Sequence, residues 1–254
     1  MINKILPFII VLTVLASCSD APLLIEEQTL DQNVIAACKD KPCPQVTVAY
    51  ITYNGEPEVI TSINEEIRQF VIASLYLGDP ESQPTATTSQ EAMAQFIKDY
   101  WRDTSEFPDI NEYEADITVA ETFRSQELAT VALNQYTYAG GAHGNGSLTY
   151  INFDIETGEI ITNDQLIQDK KGLVKLAEQQ LRKDYKLNET ENLNATIFWF
   201  ESDSFNLSEN IGFEKGKMVI HYNQYEIASY ADGAIDIELS IEDVAPFLKY
   251  SLKK

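Results

Sequence analysis

The sequence predicts an α+β fold: a mostly antiparallel sheet with two or three amphipathic helices packed on it. Two observations carry this. Short segments rich in β-branched and aromatic residues recur with alternating polarity and are punctuated by glycine, asparagine and aspartate. Three longer segments, near residues 62–75, 88–101 and 173–185, instead repeat their apolar positions at helical spacing.

Residues 46–53, Val-Thr-Val-Ala-Tyr-Ile-Thr-Tyr, read as the first strand, and Asn54-Gly55 as the turn after it. Ser62 and Glu65 have the spacing of a capping box, and Ile63, Ile67, Phe70, Val71 and Leu75 then share a helical face. Residues 78–88 form a loop. Thr88 and Glu91 repeat the capping spacing ahead of Met93, Phe96, Ile97, Tyr100 and Trp101, an aromatic stripe that suits a core. Ala115, Ile117, Val119 and Phe123 alternate with polar residues, a second strand spans 128–138, and Thr149, Ile151, Phe153 and Ile155 face one way on a third. Glu156-Thr157-Gly158 closes a hairpin onto residues 159–162. Asn163 or Asp164 caps a helix through Leu173, Ala177, Leu181 and Tyr185. Strands at 204–213, 218–222 and 234–240 and a short helix at 241–248 complete the chain, with no internal repeat.

Composition sets the compartment. Lys4, an apolar run over residues 5–16 and Leu15-Ala16-Ser17-Cys18 have the layout of a secretory signal ending in a lipobox, and the run is too short to span a bilayer as a helix. Residues 1–17 are therefore expected to be a lipoprotein signal peptide, with Cys18 the acylated N-terminus of an envelope protein held to the membrane. Residues 18–44 read as a tether, and residues 45–254 as one body. Cys38 and Cys43 suit a local disulfide in an oxidising compartment. A formal net charge of −22 opposes nucleic-acid binding. It favours cationic partners or solubility.

Four of the eleven glycines fall in residues 136–146, Tyr-Thr-Tyr-Ala-Gly-Gly-Ala-His-Gly-Asn-Gly. Gly140, Gly141 and Gly144 there predict positive φ or backbone approached too closely for a Cβ. His143 and Asn145 sit inside the turn, either bonded to local backbone or forming a ligand site. The chain has two histidines, His143 and His221, without metal-binding spacing. No GxSxG elbow occurs and no carboxylate pair stands out, so no catalytic residue, metal ligand or cofactor is assigned.

The glycine turn, then Tyr-Ile-Asn-Phe-Asp-Ile-Glu-Thr-Gly at 150–158, then Tyr-Asn-Gln-Tyr-Glu-Ile-Ala-Ser-Tyr-Ala-Asp-Gly at 222–233, follow one another in this order. Together they resemble the extracytoplasmic domain shared by RsiV-type anti-sigma factors and the N-terminal region of PdaC-type peptidoglycan deacetylases. The resemblance covers roughly residues 45–250 and implies two sequence subfamilies joined near residue 145. It also implies a receptor domain for lysozyme, with the loop of Asn223, Tyr225, Glu226 and Tyr230 as the contact region. This chain has no room for the deacetylases' separate catalytic domain. The expectation is a non-enzymatic binding module for a cationic lysozyme-like muramidase or a peptidoglycan fragment. The alternative is a hydrolase or deacetylase acting on an envelope glycan, with His143 at its centre.

Overall fold

The computed structural model describes residues 23–253, so the signal segment and Cys18 lie outside the described residues. Two sheets form the frame. The larger has the order β1-β2-β3-β4-β5, from β1 (Leu24–Asp31), β2 (Gln45–Asn54), β3 (Glu114–Arg124), β4 (Leu128–Tyr138) and β5 (Asn145–Asp154). Its neighbours pair antiparallel except β2 and β3, which are parallel. The exception follows from the connection: α1 (Pro57–Ser74) and α2 (Ser89–Glu106) bridge β2 to β3, and a crossover of that length returns the chain in the same direction.

α1 starts earlier than the Ser62–Glu65 capping box predicts. Its N-cap is Glu56, which makes no side-chain cap bond, and Pro57 occupies the first turn. Proline's fixed φ and missing N–H suit that position, so it sets the boundary and leaves Ser62 inside the helix. Ile63, Ile67, Val71 and Leu75 are buried as expected. α2 begins where predicted, with the Thr88 hydroxyl accepting from the Glu91 N–H at 3.2 Å.

The tether reading of residues 18–44 is corrected from Leu24 on. β1 pairs with β2 along its whole length. It is an exposed edge strand, so its sequence lacks the apolar alternation that marks half-buried strands. Arg124, ion-paired with Glu121, donates to the Leu23 carbonyl at 2.7 Å and ties down the start of this strand. Cys38 and Cys43 are disulfide-bonded, their Cα atoms 5.5 Å apart. This loop docks on α2, where the Trp101 indole donates to the Pro42 carbonyl at 2.7 Å.

The smaller sheet, order β6-β7-β8, is antiparallel: β6 (Ile211–Glu214), β7 (Lys217–Tyr222) and β8 (Ile235–Ser240). Residues 204–210, expected as strand, are not; β6 starts at Ile211. Asn210 explains the interruption. Its amide pairs with the edge of β5, accepting from the Tyr150 N–H at 2.7 Å and donating to the Leu148 carbonyl at 2.6 Å. The predicted hairpin after Gly158 reduces to one bridge, Phe153 to Ile160. The short α3 (Asn163–Leu166) and α4 (Lys170–Asp184) are capped by Thr162 and Asp169 rather than by Asn163 or Asp164. α5 (Ile241–Val244) closes the chain.

The large sheet is covered on both sides. Val131, Leu133 and Phe153 join α1 and α2 in one core. From β5, Tyr150 and Asn152 project the other way and reach the small sheet: the Asn152 amide donates to the Ile211 carbonyl at 2.8 Å, and the Tyr150 hydroxyl to Glu214 at 3.0 Å. The small sheet is covered twice as well. Met218, Ile220 and Tyr222 share a second core with Leu173, Ala177 and Leu181 of α4, while His221 turns its ring to the edge of Tyr150. A β-bulge between Glu121 and Phe123 lets β3 serve both cores, Val119 in the first and Phe123 in the second.

These buried tyrosines predict a pH response. Burial raises the Tyr53 and Tyr222 hydroxyls well above the usual value near 10, and Glu121 beside Tyr53 adds to the effect. A raised folded-state value means the unfolded chain loses these protons first. The contribution is therefore intact below pH 10 and lost as pH rises above it. Urea unfolding midpoints are expected to be flat from pH 7 to 9 and to fall above pH 10. In Tyr53→Phe the fall should be shallower by on the order of 1 kcal/mol per pH unit.

Candidate functional site

The glycine turn joins β4 to β5 over residues 139–144. Gly140 has φ 78°, and a Cβ there would come within 2.6 Å of the Ile110 side chain. Gly144 lies against the Tyr136 ring, which a Cβ would overlap. Gly141 is a correction: its φ is not in the left-handed region, and a Cβ would meet nothing nearer than 3.9 Å. Its carbonyl accepts from the Tyr138 hydroxyl at 2.9 Å.

The loop between β7 and β8 folds back over this turn. Tyr225 takes φ 69°, and Ser229 and Asp232 close a capping box around residues 230–232. The consequence is contact between two motifs some eighty positions apart. The His143 ring stacks on Tyr230 with centroids 4.3 Å apart, and the Tyr230 hydroxyl donates to the Gly144 carbonyl at 3.2 Å. Tyr225 lies beside Tyr230 at 5.6 Å and is 59% exposed. Three rings thus make one outward aromatic face. Beside it, His143, Asn145 and Thr137 border an open cleft of about 380 Å³ whose opposite wall includes Ser74 and Tyr76.

The remaining candidates divide by role. Glu226 is exposed on the loop. Asn223 is a clamp: its amide accepts from the Leu148 N–H at 2.9 Å and donates to the Leu148 carbonyl at 3.0 Å, tying the loop base to the edge of β5. Its oxygen also lies 3.2 Å from His221 Nε2, and His221 Nδ1 is 2.6 Å from Asp236. His221 is buried between the sheets in this polar bridge, while His143 engages Gly144 and Tyr230. Among the described residues, no group of three or more histidines, cysteines and acidic side chains is placed to hold a metal ion. Sequence reasoning passes over Trp199, 47% exposed, whose indole donates to the Glu226 carbonyl at 3.1 Å and braces the loop from behind.

This geometry revises what His143 contributes to stability. A structural histidine in the turn implies unsatisfied partners once it is removed. Here the ring is exposed, and its partner, the Gly144 carbonyl at 2.8 Å, also accepts from Tyr230. His143→Ala is expected to cost less than about 1 kcal/mol in thermal or urea unfolding, because no buried group is orphaned.

Comparison with known proteins identifies the parts. Residues 37–146 match the family described as deacetylase PdaC, and residues 159–242 match the protein of unknown function family DUF3298. The crystal structure of a DUF3298 family member from Bacteroides fragilis superimposes with a TM-score of 0.67 at 20% identity, covering 91% of this chain and 95% of that one. A DUF3298 family protein from Pseudomonas aeruginosa gives a TM-score of 0.56 at 15% identity, covering 92% and 98%. At these identities the likeness is one of fold. None of the curated proteins compared matches significantly. The disulfide suits an extracytoplasmic setting, and among the described residues no helix is long and apolar enough to cross a membrane. The chain therefore carries the extracytoplasmic domain type shared by the DUF3298 and PdaC families, the first matched segment ending just after the glycine turn and the second beginning at residue 159.

Proposed function

We propose that this chain is a non-enzymatic binding module of the bacterial cell envelope, anchored through lipid on Cys18. Its ligand is a cationic lysozyme-like muramidase or a peptidoglycan fragment. The observation that carries the reading is the aromatic face of His143, Tyr230 and Tyr225. Exposed tyrosine on a loop braced by Asn223 and Trp199 is a preorganised contact surface of the kind interfaces favour. The net charge of −22 supports a cationic partner by steering its approach.

The test is surface-based kinetics with residues 19–254, which leave every described residue in place. The panel holds cationic muramidases, soluble peptidoglycan fragments and an acidic control protein, at two salt concentrations. Association should slow as salt rises, and Tyr225→Ala should speed dissociation, costing about 1–3 kcal/mol of binding. Absence of binding across the panel, or binding that ignores Tyr225 and vanishes at physiological salt, sinks the reading. In cells, Cys18→Ala should abolish lipid labelling. A second reading, a deacetylase or hydrolase centred on His143, is favoured by the match to a deacetylase family. Release of acetate from N-acetylated peptidoglycan by the purified chain, lost in His143→Ala, would put that reading first.

A further inference from the structure

Next to the loop that carries Tyr225 lies a second, separate concavity of about 570 Å³, lined between Trp199 and Asn210 and by Tyr222, Glu226 and Ile227. Its floor is apolar and buried, with Phe200 and Tyr222 in edge-to-face contact at 6.1 Å. Trp199 is fixed in place at one side. Its backbone N–H donates to the Ile227 carbonyl at 3.0 Å and its indole N–H to the Glu226 carbonyl at 3.1 Å. With its polar edge used, the indole still leaves nearly half of its surface, 47%, to solvent.

The charge here has one sign. Glu201, Glu209 and Glu226 line the groove, all three exposed, and neither lysine nor arginine lines it. An anionic ligand would meet carboxylates and find no cation to answer it. A held aromatic ring flanked by carboxylates has the opposite preference: it attracts an ammonium or guanidinium group on an apolar stem, the charge meeting the carboxylates and the stem covering the ring. The backbone around the groove is also unusual. Ser202, Asp203 and Tyr225 have φ of 54°, 53° and 69°, three of the five non-glycine residues in the left-handed region among the described residues. Such conformations persist where surrounding structure enforces them, and they concentrate at ligand-binding positions.

From these features we infer that the groove receives a lysine or arginine side chain of a cationic protein partner, laid over Trp199 and neutralised by Glu201, Glu209 and Glu226. This deepens the binding-module reading and rests on it. A protein is the favoured source because the groove adjoins Tyr225 through Glu226, so one partner large enough to cover the aromatic face also covers the groove. The strongly negative chain then selects for a basic surface.

The test uses residues 19–254 and an arginine-rich peptide, with a glutamate-rich peptide and a glucosamine oligosaccharide as the other arms. The chain has two tryptophans, so Trp101→Phe leaves Trp199 as the sole tryptophan, read by selective indole excitation. The arginine peptide should change Trp199 emission in that variant, and the glutamate peptide should not. With whichever cationic muramidase binds, Trp199→Ala should weaken affinity roughly 3–30-fold. Glu226→Gln, on an exposed side chain, should act in the same direction without disturbing the fold. An unchanged Trp199 signal with the arginine peptide overturns the inference, as does a response to the glucosamine oligosaccharide alone. Muramidase binding that depends on Tyr225 but ignores Trp199 and Glu226 also removes the groove and leaves the binding-module reading standing. If no muramidase binds while the arginine peptide still reports on Trp199, the muramidase reading fails and the cation site survives.

Discussion

Gly158→Ala is expected to lower the melting temperature by about 5–15 °C. Gly158 holds φ 72°, which costs an alanine on the order of 1–2 kcal/mol. Its surroundings add more. A Cβ here would fall well inside van der Waals contact with the carbonyl of Val59, in the first turn of α1. That obstacle is helix backbone and cannot rotate aside as a side chain would. Overpacking of this kind adds about 1–3 kcal/mol, and each kcal/mol moves the midpoint of a chain this size by about 2–4 °C. Gly216 supplies the control: its φ is 79°, but a Cβ there meets nothing within 4 Å. Gly216→Ala should therefore show the conformational part alone. If calorimetry finds the two variants equally destabilised, the close approach of Gly158 to α1 is not what glycine is needed for.

Asn152→Leu is expected to cost about 2–4 kcal/mol, nearly all of it from groups left behind. Asn152 is 4% exposed; it accepts from the fully buried Thr130 hydroxyl at 2.7 Å and donates to the Ile211 carbonyl at 2.8 Å. Leucine keeps the branched heavy-atom skeleton and deletes both bonds, stranding a hydroxyl and a carbonyl between the two sheets. Thr130→Val in the same chain should recover about 1 kcal/mol by removing one stranded group, a coupling that a double-mutant cycle measures. Additive effects of the two changes would show that the bridge does not act as a unit. The amide also joins β5 to β6, so the variant should speed hydrogen exchange across β6 before global unfolding.

Elements with one buried face were legible from the sequence. In α2, Met93, Phe96 and Ile97 lie on the buried side that their spacing defines, and Thr88 caps the helix as its hydroxyl predicts. In β3 the alternation of Ala115, Ile117 and Val119 survives intact. Where burial comes from neither face, the signal fails. β7 is buried on both sides and still reads as a strand from its continuous apolar run, while β1 is exposed and is held by main-chain bonds that leave no side-chain pattern. Start points also erred, at α1 because Pro57 overrides a plausible cap and at β6 because Asn210 turns its amide to β5.

The candidate site divides along the same line. The sequence by itself marked the residues: the glycine turn with His143 and the loop with Tyr225 and Tyr230 stood out by composition, and the charge of −22 was fixed before any folding. The need for glycine at 140 and 144 was likewise written in the turn. Contact was decided by the tertiary structure alone. Whether His143 meets Tyr230 depends on β5 presenting Leu148 to Asn223, and the small sheet must be docked for that to happen. Asn223 became a clamp, and Trp199, 26 residues before Tyr225, became the brace behind the loop. No local spacing encodes either role, because each is a long-range contact created when the two sheets pack.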